Sequence, residues 1–247
     1  WVSVEGVRGG DLADTLFGAN NVDNVLEGLA GADRLDGRSG NDLVRYDRSM
    51  AGVTVNLGSV TVNGVATNKA TDGYDTNDTL AGVQSAQDTL ISIENIRGSK
   101  FGDTLIGNAS SNRIEGWAGK DTIDGGTGSD TADYFNSVGG IVVNLTSNSA
   151  TNDGWGFSDS FAAGSIESVR GSAFEDSITG SAANNTLDGG MGADTMSGLN
   201  GIDVYVVDDI GDVVIESVNT GGNGDTVQSS ITYSLLSTAN GQNTSQV

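Results

Sequence analysis

Residues 116–133 read GWAGKDTIDGGTGSDTAD, which is two successive nine-residue turns with one shared pattern. Each turn opens with glycine, carries aspartate at its sixth position and has an apolar residue at its eighth. The period recurs elsewhere, so that the chain contains three modules of four turns each, with one extra residue in the second turn of the first module. Position one is glycine in all twelve turns: Gly9, Gly18, Gly28, Gly37, Gly98, Gly107, Gly116, Gly125, Gly171, Gly180, Gly189 and Gly198. A fixed period of this kind indicates stacked units that complete one another's core.

Positions six and eight carry oxygen ligands and core residues respectively. Position six is Asp14, Asn24, Asp33 and Asp42 in the first module, Asp103, Asn112, Asp121 and Asp130 in the second, and Asp176, Asn185, Asp194 and Asp203 in the third. Because glycine reaches left-handed dihedrals, the repeated glycine predicts a tight loop whose carbonyls converge on the carboxylate. Such an all-oxygen environment suits a hard cation such as Ca²⁺. The apolar residue two places later predicts a short strand, so that two turns form one coil of a flattened roll.

The turns resemble the RTX, or haemolysin-type calcium-binding, nonapeptide Gly-Gly-x-Gly-x-Asp-x-(apolar)-x. Residues 125–130 and 189–194 match the first six positions fully, and residues 28–33, 37–42, 116–121 and 198–203 lack only the second glycine. The resemblance implies an all-β fold of parallel β-roll (β-solenoid) modules in tandem, joined by β-hairpin or loop connectors. It also implies that calcium lies between loops stacked on the same edge, bound by backbone carbonyls and by the aspartates of both loops.

The predicted calcium ligands lie in the third and fourth turns of each module and at position six of the first two turns. They are Gly28, Ala30, Gly31, Asp33, Gly37, Ser39, Gly40, Asp42, Gly116, Ala118, Gly119, Asp121, Gly125, Thr127, Gly128, Asp130, Gly189, Met191, Gly192, Asp194, Gly198, Asn200, Gly201, Asp203, Asp14, Asn24, Asp103, Asn112, Asp176 and Asn185. We expect turn one to pair with turn three and turn two with turn four, giving about two calcium ions per module and roughly six in total. The edge formed by turns two and four should be weaker, because asparagine is a neutral donor. Leu12, Phe101 and Phe174 replace a motif glycine in the first turns, where we expect them to cap the ends of the rolls.

The repeats divide the chain into six predicted segments. These are roll modules at 1–57, 93–145 and 166–217, connectors at 58–92 and 146–165, and a strand-rich tail at 218–247. Each module opens with a related hexapeptide, at 4–9, 93–98 and 166–171. Alternating residues predict half-buried strands at 53–57 and 141–145, and Asn63-Gly64 predicts a hairpin turn.

Both connectors contain an acidic-Gly-aromatic loop followed by another aspartate. The acidic residues are Asp72 and Asp78 in the first connector, and Asp153 and Asp159 in the second. Two interpretations stay open at this point, because these residues fit either ordinary polar turns or an additional calcium site.

Composition excludes several function classes. Asp and Glu number 33 against 11 Lys and Arg, which gives a formal charge of −22 that repels nucleic acid and anionic membranes. That charge alone would fit a solubilising surface, but the recurrence of acidic residues at one fixed position of the repeat favours cation binding. Cysteine and histidine are absent, so disulfides, the usual zinc ligands and the commonest general base are missing. We expect no enzyme activity, since a catalytic dyad needs two unique groups in a cleft rather than one residue repeated along an edge.

These features predict a calcium-binding structural repeat region of a large secreted bacterial cell-surface protein, of the S-layer, sheath or adhesin type, that folds on Ca²⁺ outside the cell. One alternative is the calcium-folding C-terminal export domain of a type I-secreted protease, lipase or polysaccharide-modifying enzyme. Another is a carbohydrate-binding module with Trp117 or Trp155 as the sugar platform.

Localisation and partners follow from the same resemblance. It implies type I secretion from a Gram-negative bacterium, and the absence of an N-terminal signal peptide or membrane span agrees. Since the first residue is Trp1 rather than Met, we expect a piece of a longer chain. Calcium ions are the predicted partner, and further candidates are self-assembly, neighbouring surface proteins and polysaccharide, without nucleic acid.

Overall fold

The computed structural model describes residues 5–74, 87–216, 224–233, 236–237 and 243–244, and every regular element within them is a β-strand. The predicted all-β class is therefore confirmed. The described residues contain no helix of a length and apolarity that could cross a membrane. By its internal contacts the chain forms two compact units, Trp1–Gly128 and Ser129–Val247.

Unit 1 is a roll of two sheets. Its strands are β1 (Gly6–Arg8), β2 (Thr15–Phe17), β3 (Val25–Glu27), β4 (Arg34–Asp36), β5 (Leu43–Arg45), β6 (Thr54–Asn56), β7 (Lys69–Thr71), β8 (Gln87–Ile91), β9 (Asn95–Arg97), β10 (Thr104–Ile106), β11 (Arg113–Glu115) and β12 (Thr122–Asp124). One sheet has the order β1-β3-β5-β9-β11 and is parallel throughout. The other has the order β2-β4-β8-β7-β6-β10-β12. This arrangement confirms the predicted parallel β-roll.

Successive turns supply strands to alternate sheets, which is why turns two apart in sequence are neighbours in space. In the second module β10 pairs with β12, joining Thr104 to Thr122 and Leu105 to Ile123, an offset of two nine-residue turns. The first module repeats this pairing between β2 and β4 and between β3 and β5. The expected partnership of turn one with turn three, and of turn two with turn four, is confirmed in that module.

The first connector is inserted into only one of the two sheets. Strand β6, at the end of the predicted first module, and the connector strands β7 and β8 form an antiparallel meander between β4 and β10, whereas in the other sheet β5 pairs directly with β9. Val44 and Ile96 are partners in that pairing and both are fully buried. The expected hairpin is present, with Asn63 and Gly64 at φ 50° and 79° between the bridged residues 62 and 65. The first two modules therefore share a continuous sheet.

Unit 2 repeats the design. Its strands are β13 (Thr131–Asp133), β14 (Val142–Asn144), β15 (Ser149–Asn152), β16 (Asp159–Phe161), β17 (Ser168–Arg170), β18 (Ser177–Thr179), β19 (Thr186–Asp188), β20 (Thr195–Leu199), β21 (Val204–Val207), β22 (Val213–Glu216), β23 (Thr226–Ser229), β24 (Leu236–Ser237) and β25 (Asn243–Thr244). One sheet has the parallel order β13-β17-β19-β21-β23. The other has the order β16-β15-β14-β18-β20-β22-β25-β24, with antiparallel pairing within β14–β16 and at β22, β25 and β24.

The core is the column of position-eight side chains. Eleven of the twelve are at most 1% exposed, and Leu16, on the edge strand β2, is half-buried. A three-residue strand such as β10 buries one large apolar side chain, here Leu105, worth about 1.5–3 kcal/mol, so that a single turn cannot be stable without its neighbours.

The predicted roll caps are wrong. Leu12, Phe101 and Phe174 are 79%, 45% and 46% exposed. For the two phenylalanines the reason is topological, because β10 lies between β6 and β12, and β18 lies between β14 and β20. The roll does not end at those turns, and so it leaves no exposed core there to cover.

Candidate metal-binding loops

Position one is glycine because neighbouring oxygens fill the space that a side chain would need. A Cβ on Gly9 would lie 2.6 Å from both the Gly28 carbonyl oxygen and Asp14 Oδ2, and a Cβ on Gly28 would lie under 3.0 Å from the Asp33 carboxylate. Real Cβ atoms essentially never make such contacts. None of the twelve glycines, which all lie in described residues, has a positive φ. Close approach, rather than the expected left-handed freedom, therefore explains this column.

The left-handed backbone lies instead at positions two and four. At position four the values are Gly31 120°, Gly40 150°, Gly119 126°, Gly128 142°, Gly192 122° and Gly201 130°. At position two they are Leu29 70°, Arg38 70°, Trp117 73°, Gly126 95°, Gly190 83° and Leu199 74°. The four turns that lack the second motif glycine therefore form the same loop, with a side chain in a region that L residues enter only with strain.

One oxygen of the position-six aspartate connects two stacked loops. Asp33 Oδ1 accepts a hydrogen bond from Asp14 N at 2.8 Å, and Asp194 Oδ1 accepts one from Asp176 N at 2.9 Å. Equivalent bonds recur in the other described turns of both units. These hydrogen bonds are charge-assisted and therefore strong, and they hold successive carboxylates in a row along the edge of the roll.

In turns one and two the oxygens of the position-six Asp or Asn accept hydrogen bonds from donors in their own loop. Asp103 Oδ2 accepts from Ser99 N at 2.5 Å while its Oδ1 accepts from Ser99 Oγ at 2.7 Å, and Asp176 makes the same two bonds to Ser172. The amide oxygen of Asn112 accepts from Asn108 N at 2.7 Å, and the other turn-two asparagines do likewise. These loops satisfy their own carboxylate or amide oxygens without an ion.

In turns three and four of the first and third modules, the second oxygen of the position-six carboxylate accepts no hydrogen bond. Asp33, Asp42, Asp194 and Asp203 are at most 2% exposed, and their Oδ2 atoms are buried without a hydrogen-bond partner. An uncompensated buried carboxylate oxygen is strongly unfavourable, so a native loop of this design needs a positively charged partner. Asp121 and Asp130 hold the same positions in the second module and are fully buried.

Burial also perturbs the titration of these carboxylates. It is the main cause that raises the pKa of Asp194 to about 8, aided by the charges of Asp176 and Asp212 and opposed by the hydrogen bond from Asp176 N. Burial likewise raises the pKa values of Asp33, Asp42 and Asp203 above 3.8. Each site is therefore unfavourable when it is ionised and carries neither a proton nor a cation.

The carboxylate rows continue beyond the turns, at residues that the nonapeptide pattern did not predict. Glu94 Oε2 accepts from Asp42 N and Glu167 Oε2 accepts from Asp130 N, both at 2.9 Å. The recurrence of glutamate in the hexapeptides that open the modules was the sequence signal for both. Asp212 Oδ1 continues the row after the last full turn, accepting from Asp194 N at 3.0 Å.

The connector aspartates are all buried where they are described. Asp72 Oδ2 accepts from Gly31 N at 3.0 Å, which places this connector against a predicted calcium loop. Asp159 Oδ2 accepts from Tyr134 OH at 2.9 Å. Asp153 Oδ1 accepts from Trp155 N at 2.8 Å, whereas its buried Oδ2 has no donor. Asp78 lies outside the described residues, and a metal-binding role for this group stays a prediction.

Asp88 is the unit 1 counterpart of Asp159 and was not identified from the sequence. Its Oδ2 accepts from Tyr46 OH at 2.9 Å and its Oδ1 accepts from Asp33 N at 3.0 Å. Burial is the main cause that raises its pKa to about 7, and the charges of Asp33 and Asp72 add to this. The site around Asp33 thus includes side chains from the connector.

Comparison with protein families gives an independent result. The family model described as "RTX calcium-binding nonapeptide repeat (4 copies)" matches residues 18–48, 97–132 and 170–205. These segments are RTX calcium-binding repeats. A search of curated proteins found no match for the chain. RTX repeats bind Ca²⁺ and typically occur in type I-secreted extracellular proteins, and a β-roll of RTX repeats is a structural repeat domain rather than a catalytic fold.

The oxygen ligands in these loops fit calcium. The unsatisfied atoms of Asp33, Asp42, Asp194 and Asp203 are carboxylate oxygens, and hard oxygen ligands in a flexible loop are those that Ca²⁺ prefers. The Oδ2 atoms of Asp33, Asp42, Asp194 and Asp203 would bind the ion, which supplies the positive charge that these loops need. Contributions from the loop carbonyls and from position six of turns one and two stay predictions, as does the number of ions.

Proposed function

We propose that this chain is the calcium-folded structural repeat region of a large bacterial surface protein, of the S-layer, sheath or adhesin type, exported by type I secretion from a Gram-negative cell. The observation that supports a structural role is the distribution of buried, donor-free carboxylate oxygens. They recur along the edges of the rolls in both units, at Asp33 and Asp42 and again at Asp194 and Asp203, rather than gathering in one cleft.

Calcium thermodynamics support folding outside the cell. A site with a dissociation constant of about 0.1 mM gains about 1.4 kcal/mol in about 1 mM calcium, and roughly six such sites gain about 8 kcal/mol. That sum is comparable to the whole stability of an ordinary domain. Cytosolic calcium lies far below such a dissociation constant and would contribute almost nothing. The chain should therefore stay loosely folded before export and become a rigid roll afterwards.

The carbohydrate-binding alternative is disfavoured at Trp117. The guanidinium carbon of Arg97 lies 5.0 Å from the centre of the indole ring, and Arg97 forms an ion pair with Glu115 at 2.6 Å. A face covered by a paired arginine cannot stack on a sugar. This arrangement supports a packing role for the tryptophan.

The proposal can be tested on cells that produce the whole protein. Antibodies against the roll should label intact cells, and added protease should cut the rolls on those cells in EGTA but not in about 2 mM Ca²⁺. Labelling that requires permeabilised cells would overturn the surface assignment. An enzyme activity that copurifies with the same polypeptide in the culture medium would instead support the export-domain alternative.

A further inference from the structure

The edge that carries Asp203 continues past the last matched repeat. Strand β23 pairs in parallel with β21, joining Val204 to Thr226, and Asp225 Oδ1 accepts from Asp203 N at 2.9 Å. Asp225 therefore holds the position-six place two turns on, although it lies 22 residues from Asp203 rather than 18. The family match ends at residue 205, so this loop lies outside the recognised repeats.

Three carboxylates meet at this end of the row. Asp203, Glu216 and Asp225 each offer one carboxylate oxygen, and these oxygens all lie within 4.8 Å of one another. Their burial is graded: Asp203 is 1% exposed, Glu216 is half-buried and Asp225 is exposed. The cluster thus has a buried base and an open side through which an ion can enter.

The buried member of the cluster provides an independent indication of a ligand. Asp203 Oδ1 is used by Asn185 N at 2.7 Å, but Asp203 Oδ2 is buried without a hydrogen-bond donor. The Asp203 carboxyl group lies beside two further carboxylates, and the repulsion among them is unfavourable for all three groups. A divalent cation bound among them would remove that repulsion and compensate for the buried oxygen.

A buried phenol positions Glu216. Tyr205 is fully buried at position eight of the last full turn, and its hydroxyl accepts from Gly198 N at 2.8 Å while donating to Glu216 Oε1. The hydrogen bond from Tyr205, which is a core residue, therefore holds the Glu216 side chain against the roll.

We propose that Glu216 and Asp225 complete the calcium site of Asp203, in which Glu216 is a ligand that no repeat position supplies. The site would join the post-repeat strand β23 to the last turn of the roll, so that this strand becomes ordered only when the ion is bound. The inference rests on calcium binding by the repeats, which forms part of the proposed function. With three carboxylates in one site, its affinity should be at the upper end of the range for this chain.

The test compares Glu216→Gln with Glu175→Gln in the full chain, because Glu175 is an exposed glutamate and the second variant makes the same charge change. Calcium titration calorimetry should show one tight site weakened about tenfold or lost in Glu216→Gln, and no change in Glu175→Gln. Hydrogen exchange should show that the amides of β23, Thr226 N among them, lose their calcium-dependent protection in Glu216→Gln while those of β17 and β19 keep it.

The outcomes separate this inference from the proposed function. A wild-type chain that binds no calcium refutes both. A wild-type chain that binds calcium, with Glu216→Gln equal to Glu175→Gln in affinity and in β23 protection, refutes only the role of Glu216 and Asp225 as ligands. If Glu216→Gln fails to fold, Asp225→Asn replaces it, because Asp225 is exposed and its Oδ1 acceptor is retained. Tyr205→Phe should weaken the same site without removing it, since all three carboxylates remain.

Discussion

The substitution Asp194→Asn should change the stability of unit 2 in opposite directions with and without calcium. Asparagine keeps the Oδ1 acceptor that Asp176 N uses at 2.9 Å. It replaces the buried, donor-free Oδ2 and its charge by a neutral amide group. In a chelator the change removes a buried carboxyl group that must either stay charged or take up a proton, both of which are unfavourable at neutral pH, whereas in calcium it removes a ligand.

The expected magnitudes follow from these two contributions. Relief of an unsatisfied buried carboxylate oxygen should stabilise the calcium-free roll by about 1–3 kcal/mol. Loss of one site with a dissociation constant of about 0.1 mM should destabilise the roll by about 1.4 kcal/mol in about 1 mM Ca²⁺. For a chain of this size 1 kcal/mol shifts the Tm by about 2–4 °C, so the Tm should fall by about 3–6 °C in calcium and rise in the chelator.

Asp176→Asn is the matched control. Asp176 is also a position-six aspartate on the same edge, but its oxygens already accept from Ile141 N at 2.8 Å, Ser172 N at 2.6 Å and Ser172 Oγ at 2.8 Å. In Asp176→Asn the NH₂ group of the asparagine must face at least one of these hydrogen-bond donors, and it cannot accept their hydrogen bonds. The free energy of unfolding should therefore fall by about 1–3 kcal/mol with or without calcium.

The assay is thermal unfolding followed by near-ultraviolet circular dichroism, in EGTA and in about 1 mM Ca²⁺. About 0.5 M sodium sulfate in both arms favours the folded state, so that the calcium-free roll can be measured. If Asp194→Asn lowers the Tm equally in the two arms, its Oδ2 is an ordinary structural acceptor and not a calcium ligand. A sign reversal in Asp176→Asn would likewise show that the donor-free oxygen is not what couples stability to calcium.

Three further predictions follow from the same geometry. In EGTA the β signal in far-ultraviolet circular dichroism should be lost. Millimolar Ca²⁺ should restore it and Mg²⁺ should not, because Mg²⁺ demands a small octahedral shell. A spectrum insensitive to EGTA would contradict calcium-dependent folding. Gly28→Ala should destabilise the roll far more than Gly10→Ala. A Cβ on Gly10 lies 3.8 Å from its nearest neighbour, Asp14 Oδ2, whereas a Cβ on Gly28 overlaps the Asp33 carboxylate. Equal melting temperatures for the two variants would show that close approach does not determine position one. In a chelator with about 0.5 M sodium sulfate, which favours the calcium-free folded state, the Tm should fall as pH rises from about 4 to 7. Burial raises the pKa of Asp103 to about 6 and of Asp88 to about 7, so the folded chain binds protons that the unfolded chain releases, and it loses that stability as these groups ionise. A Tm that rises with pH would contradict this assignment.

The sequence by itself determined the architecture and the core, for a physical reason. In a roll each turn contacts the turns two before and two after it, at a nearly constant separation along the chain. A property needed at every level of the stack must therefore recur with the period of the turn. This is why position eight could be assigned as core, why position six could be assigned as the carboxylate row, and why Leu105 and Ile123 could be expected to stack.

The reason for the glycine column needed the structure. From the sequence, left-handed dihedrals and close approach are equally good explanations of a repeated glycine. Only the coordinates place the Gly28 carbonyl oxygen and Asp14 Oδ2 around the missing side chain of Gly9. They also show positive φ at non-glycine residues such as Leu29, where the motif glycine is absent.

Tertiary structure alone decided which aspartates lack a partner and what else joins their row. Asp176 and Asp194 occupy the same column, yet one is satisfied by Ser172 of its own loop and the other is not, because this depends on loop geometry. The bond between Asp33 N and Asp88 spans 55 residues. Separations of that kind depend on the length and path of an inserted connector. They do not recur with the repeat, and so no period in the sequence can encode them.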